Sequence, residues 1–202
     1  MARNRRNAVI FAPEAHEIVI AEPKVQNIVD LYMSATPEDI AEGTLWYADA
    51  YTLAITLDPA NPAAAAGVIA AMSPITPWGR NKDLAERAYR DGAASGTLSR
   101  NCDKANEIMA GADPLDVLKG EKVVNFYLSI IGDQNAVCID RHAYDIAVGT
   151  VTNDASRDKA LRRKGEYDKI AALYREAAER IGILPSELQA ITWTIWRRLK
   201  GL

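Results

Sequence analysis

Cysteine is nearly missing from this sequence: Cys102 and Cys138 are the two among 202 residues. They are too few for a disulfide framework and lack the short spacing of metal ligands, so neither a stapled fold nor a bound metal is expected. Glycine, at 12, and proline, at 9, are sparse as well, which argues against a disordered chain. A surplus of positive charge is also missing. With a net charge of -3, a chain-wide nucleic-acid coat is excluded, and any polyanion must be met by a local basic face. No apolar run reaches the roughly 20 residues that a bilayer span needs. The opening Met1-Ala2-Arg3-Asn4-Arg5-Arg6 is basic, but Pro13, Glu14, His16 and Glu17 break the run behind it, so it does not read as a signal peptide. The expectation is a soluble cytoplasmic protein with no membrane partner. His16 has no context that assigns it a role.

What is present is apolar and helical. Hydrophobic residues make up 49% of the chain, enough for a substantial core. Residues 1–23 read as an irregular basic arm, with Val9-Ile10-Phe11 and Ile18-Val19-Ile20 as short extended pieces bounded by Pro13 and Pro23. Its tip is either a phosphate-binding arm or a frayed terminus. From Lys24 onward the apolar spacing is helical, beginning with Val25, Ile28, Val29 and Tyr32. Thr36-Pro37-Glu38-Asp39 combines a capping hydroxyl, a first-turn proline and acids at the positive end of the dipole, and predicts a helix to about Leu57. Asn61-Pro62 starts another, apolar on all sides through Met72, which belongs in the centre of a core. Further helices are expected around Lys82 to Arg90, from Ser99 to Ala110, over a short turn from Asp113 to Val117, from Asp154 or Ser156 to about Ile181, and after a Ser186-Glu187 cap. Neither strand alternation nor an internal repeat is evident. The prediction is an all-α fold of about nine or ten helices, with residues 24–202 as a single helical domain of two lobes and a cleft near 73–81 and 118–142.

The stretch from Leu118 to Gly149 carries the candidate chemistry. A Lys-Gly-Glu turn leads into an apolar helix near Lys122, Gly132-Asp133-Gln134-Asn135 interrupts it, and Val137-Cys138-Ile139-Asp140 resumes. Asp140 follows Lys122 by 18 positions. Two helices folding back on one another would bring an amine and a carboxylate to one mouth. Taken as residues alone, the pair is either catalytic, or a surface lysine and an aspartate capping the helix that begins near Arg141. A lysine attacks a sugar C1′ only as the free amine, and a carboxylate opposite it can take a proton or stabilise an oxocarbenium-like centre. His142 is either an acid or base beside Asp140 or an anchor for the helix start.

The same residues resemble the helix-hairpin-helix superfamily of DNA glycosylases, the endonuclease III-like enzymes. Gly120 matches the glycine of the hairpin, Lys122 the lysine at the start of the next helix, and Ile139-Asp140-Arg141-His142 the segment holding the catalytic aspartate; Val123, Val124, Phe126, Leu128 and Ile131 align between them. The resemblance spans roughly residues 45–150. It implies a glycosylase-like bundle in which Lys122 is the nucleophile that forms a Schiff base, Asp140 stabilises charge, and the target base leaves the stack. It implies DNA contacts from Gly120, Lys119, Trp78, Arg80, Asn81 and Arg141, and a DNA-facing loop around Ser73–Asn81 where the family places a wedge residue near Ile75. Trp78 either stacks on a base or caps the core. Many members hold an iron-sulfur cluster on four cysteines; with two, this chain cannot, and no cofactor is expected. The chain is similar in this respect to the phage alpha-glutamyl/putrescinyl thymine pyrophosphorylase branch, whose chemistry would add a small amine or amino acid as a partner and host cytoplasm as the location.

Two basic clusters remain, Arg157, Lys159, Arg162, Arg163 and Lys164, and Arg197, Arg198 and Lys200; each is either a phosphate contact or a solvated helix face. Trp193 and Trp196 suit core packing, and Gln189 on the same helix has the groups to read a base edge. Three functions are expected in turn: a DNA-base-directed enzyme acting at a modified base or its N-glycosidic bond, a non-catalytic DNA-binding module of the same fold, or a helical protein-interaction domain.

Overall fold

The computed structural model describes residues 22–201, and in that span the chain forms eleven helices and no strand. They are α1 (Val25–Met33), α2 (Pro37–Leu57), α3 (Pro62–Met72), α4 (Trp78–Asp91), α5 (Ser99–Met109), α6 (Pro114–Val117), α7 (Glu121–Ile130), α8 (Arg141–Val148), α9 (Asp154–Leu161), α10 (Glu166–Ile181) and α11 (Pro185–Lys200). The all-α expectation is borne out. The expected arm lies outside the described residues except for its last two positions. Among the described residues no single helix is long and apolar enough to cross a membrane.

The start of α2 is a complete capping box: the Thr36 hydroxyl accepts from the Asp39 N–H at 3.2 Å, and Asp39 Oδ2 accepts from the Thr36 N–H at 2.9 Å. Two of the orphan donors of the first turn are thereby satisfied. Asn61 caps α3 through the Ala64 N–H at 3.1 Å. Every residue of α3 from Ala64 to Met72 is buried, as an all-round apolar helix requires.

The buried side chains gather into two cores. The first is built on α2, α3, α4, α5 and α7, with Ile69, Met72, Leu84, Ile108, Leu118 and Phe126 among its members. The second is built on α1, α8, α10 and α11, with Ile28, Ile146, Ile170, Tyr174 and Leu188. The helices α2 and α11 close the seam between them. Their approach depends on Gly43, where a Cβ would stand 2.4 Å from Ile191 Cα and 2.5 Å from its Cγ1. The seam is bolted by Thr44 to Glu187 at 2.9 Å, Tyr47 to Gln189 at 2.7 Å and Arg198 to Asp39 at 2.6 Å.

Three local expectations need correction. The long helix from Asp154 or Ser156 is two, α9 and α10, because the chain turns at Gly165 with φ 79, a left-handed conformation that glycine adopts without a Cβ clash. That division adds one to the expected helix number. The last helix starts earlier than its Ser186 cap, with Leu184 as the cap and Pro185 in the first turn. Val137-Cys138-Ile139 does not resume a helix: these residues are a buried, non-helical bridge, and α8 begins only after Asp140.

Candidate functional site

The bridge between α7 and α8 joins the two cores residue by residue. Val137 and Ile139 belong to the second core, while Cys138 between them belongs to the first. This is the alternation of an extended segment, in which neighbouring side chains point to opposite faces. The Tyr167 hydroxyl on α10 fixes it from one side, donating to the Val137 carbonyl at 2.8 Å and accepting from the Ile139 N–H at 3.0 Å. The Cys138 thiol points at the Lys122 carbonyl, with 3.7 Å between sulfur and oxygen.

Asp140 ends the bridge and caps α8, its Oδ1 accepting from the His142 N–H at 2.9 Å and the Ala143 N–H at 2.8 Å. Both bonds end on one oxygen, so capping occupies half of the carboxylate. Lys122 stands exposed in the first turn of α7. Burial pushes the Cys138 thiol up to about 12, the Lys122 charge opposes that rise and the Asp140 charge adds to it. No ion pair within 4 Å joins Lys122 to Asp140 among the described residues.

Three tyrosines complete the surroundings of Asp140. Burial raises the phenols of Tyr47, Tyr167 and Tyr174, and the Asp140 charge adds to the rise in each. The Tyr174 hydroxyl donates to the Ala143 carbonyl at 3.2 Å. His142 is half-buried, and its imidazole lies below the usual range because burial disfavours the cation, with the Asp140 charge pulling the other way. Its Nε2 accepts from Arg141 Nε at 3.3 Å. The arrangement therefore offers an exposed amine, a half-buried carboxylate and an imidazole held toward its neutral form.

The residues expected to contact DNA are divided. Lys119, Gly120 (φ 89) and Arg141 are exposed beside Lys122 and Asp140. Arg80 is exposed on α4 and donates to the Gly96 carbonyl at 2.9 Å. Asn81 is 1% exposed, and its amide donates to the Ile69 carbonyl at 3.1 Å; it fastens α4 to α3 and does not face solvent. Trp78 is half-buried, its ring centroid 4.9 Å from that of Trp46. With Trp46 and Trp193 it lines a groove of about 580 Å³ whose rim carries Glu42, Asp49, Glu86, Lys82 and Arg197. Ile75 in the loop before α4 is 83% exposed at φ 57, a strained conformation for a β-branched residue.

Of the remaining expectations, Arg157 is buried and ion-paired, Arg198 is paired with Asp39, and Gln189 is buried with its amide oxygen accepting from Tyr47. Trp196 packs in the second core. Sequence reasoning passed over Trp46 and took Tyr47, Tyr167 and Tyr174 only as helical apolar positions. The available signal was the residue type: a tyrosine at a core-facing position brings a hydroxyl that needs a partner.

A family model described as a family of unknown function (DUF7178) matches residues 13–200. No curated protein and no solved structure matches the chain.

Proposed function

The chain belongs to that family, DUF7178, and from this premise we propose that it is a DNA-base-directed enzyme of the helix-hairpin-helix glycosylase type, acting at a modified base or its N-glycosidic bond. The observation that carries the reading is that Cys138 ties the first turn of α7 to the start of α8: its thiol points at the Lys122 carbonyl at 3.7 Å, and Asp140, two residues on, is the cap of α8. In the proposed reaction the Lys122 amine attacks C1′ of the target nucleotide. The C1′–N bond to the base breaks, its electron pair leaves with the base, and the proton lost by the attacking nitrogen neutralises the departing base. The Asp140 carboxylate stabilises the positive charge that builds on the sugar. His142, whose imidazole burial holds toward its neutral form, is the group placed beside Asp140 to take and pass that proton.

The test is reductive trapping. The protein is mixed with duplex DNA carrying uracil, oxidised or hypermodified bases, and borohydride is added. A covalent adduct is expected with the wild type and not with Lys122→Ala. If the wild type gives no adduct, no released base and no modified-base turnover, the enzyme reading fails.

One observation favours a second reading, a non-catalytic DNA-binding module of the same architecture. The two N–H bonds to Asp140 Oδ1 give that residue a complete structural role without any chemistry. On this reading DNA binding persists in Lys122→Ala and no base is released by either protein.

A further inference from the structure

The net charge of -3 conceals a dense basic locus near the end of α9. Lys159, Arg162, Arg163 and Lys164 fall within six residues at the end of α9 and in the turn to α10, and all four are exposed. Lys159 and Arg162 stand at i and i+3, Arg162 being the C-cap of α9 with φ -84 and ψ -9, and Arg163 follows in the turn and lines the same hollow. Such positions are spaced about 5–6 Å apart, a separation that suits neighbouring phosphates on one strand. They line, with Ala155 and Asp158, a hollow of about 440 Å³. Arg162 has one loose contact, to Asp158 at 3.8 Å, with both side chains mostly exposed. No carboxylate forms an ion pair within 4 Å with Lys159, Arg163 or Lys164 among the described residues, in contrast to Arg157 and Arg198.

The cluster is held firmly against α8. Arg157, one turn earlier on α9, is 5% exposed; it donates to Asp145 Oδ2 at 2.8 Å and to the Thr152 carbonyl at 3.1 Å, and it also pairs with Asp154. Asp145 lies on α8 five residues after the Asp140 cap, about 8 Å along the helix at 1.5 Å per residue. A short rigid helix thus connects the cations to the carboxylate of the candidate site.

We propose that Lys159, Arg162, Arg163 and Lys164 form a phosphate-binding surface that seats the backbone of the DNA strand presented to Asp140. The partner rests on the reading of the chain as DNA-directed; the location and charge of the surface do not. A membrane surface is disfavoured by what flanks the cluster. An interfacial helix needs large apolar side chains beside its cations, whereas Leu161 packs against the second core and the neighbours Asp158, Glu166 and Asp168 are acidic.

The experiment is fluorescence anisotropy of the full chain with a short labelled duplex, read between about 50 and 200 mM salt. The triple variant Lys159→Gln, Arg162→Gln, Arg163→Gln is expected to bind at least about tenfold more weakly at the low-salt end, with the log–log salt slope smaller by about 3. Circular dichroism melting should be unchanged, since all three side chains are exposed. The single reversal Arg163→Glu should move affinity in the same direction and serves if the triple variant is unstable. Unchanged affinity and slope in these variants overturns the proposal, as does a wild type that binds no duplex or that binds phosphatidylglycerol vesicles in preference to it. Failure of the borohydride reaction is distinguishable: if no adduct forms but the salt slope is present and falls in the triple variant, the chemistry fails and this surface stands.

Discussion

Arg198 near the end of α11 holds both carboxylate oxygens of Asp39 in the first turn of α2, at 2.9 Å to Oδ1 and 2.6 Å to Oδ2. Asp39 is thus half of a capping box and half of a bidentate ion pair, and its carboxyl is buried at 4% exposure. The Arg198 hydrogen bonds hold it below the usual carboxylate range, against the upward push of burial. A depressed folded value means that the unfolded chain takes up the proton first as pH falls. The stability from this pair is present above the unfolded aspartate value of about 3.9 and is lost as pH drops toward the folded one. Wild type should therefore melt higher than Asp39→Asn at neutral pH, and the gap should close progressively below about pH 5. A gap that is constant from neutral to acid pH would contradict this account. Removing the partner cap with Thr36→Ala should cost about 1 kcal/mol at neutral pH.

Gly43 governs the same helix pair by contact. A methyl group at this position meets Ile191 backbone at 2.4 Å, and backbone cannot rotate away as a side-chain end can. Alanine would raise helix propensity by about 1 kcal/mol, but separating α2 from α11 should cost more, since overpacking costs about 1–3 kcal/mol and the three polar bolts across the seam lengthen as well. Gly43→Ala is expected to destabilise by about 2 kcal/mol, measured by denaturant unfolding. A neutral or stabilised variant would show that the helices can part without loss.

These two residues also mark how far the sequence can be read. The Thr36-Pro37-Glu38-Asp39 start was legible because capping is local chemistry. The grip of Arg198 on Asp39 was not, since it spans 159 residues and a basic helix end looks the same whether solvated or paired. The all-apolar α3 announced its central place, yet Val137-Cys138-Ile139 was misread as helix because a short apolar run does not distinguish the two conformations. The Lys122 and Asp140 spacing was visible by resemblance. The phenols of Tyr47, Tyr167 and Tyr174 were hidden among helical apolar positions, because periodicity reports the face and not the hydroxyl it carries.

The loop between α3 and α4 sets stability against function. Ile75 is the one non-glycine residue with positive φ among the described residues, at 57°, and it is 83% exposed. A β-branched side chain there costs about 1–2 kcal/mol, and with so little burial its packing returns little of that. Asn tolerates the left-handed region, so Ile75→Asn should stabilise by about 1 kcal/mol, roughly 2–4 °C in a chain of this size. If the loop meets DNA as the glycosylase resemblance implies, the same variant should release base or bind duplex more weakly. Stabilisation with unchanged DNA binding and turnover would remove Ile75 from the functional surface.

Cys138 reports on the site without taking part in it. With its thiol pushed up to about 12 by burial, the thiolate that reacts with disulfide reagents is about five orders of magnitude scarcer than the thiol at pH 7. Labelling of Cys138 should therefore follow unfolding or local opening, and its rate should track denaturant sensitivity in a Cys102→Ser background. Rapid labelling under native conditions would mean that the junction of the two cores is open.

Asp140 can be divided between its two roles by choice of substitution. Asparagine caps a helix about as well as aspartate, so Asp140→Asn should preserve the bonds to the His142 and Ala143 N–H groups while deleting the charge that acts on Cys138 and on the three phenols. Alanine deletes both. Thermal unfolding should place Asp140→Asn close to the wild type and Asp140→Ala about 1 kcal/mol below it. Base release should be lost in both, by a factor of about a hundred or more if the carboxylate stabilises the developing cation. Retained turnover in Asp140→Asn, with loss only in Asp140→Ala, would make the residue a helix cap and nothing more. Lys122 would then lack its acidic partner, and the DNA-binding module would become the better account of the chain.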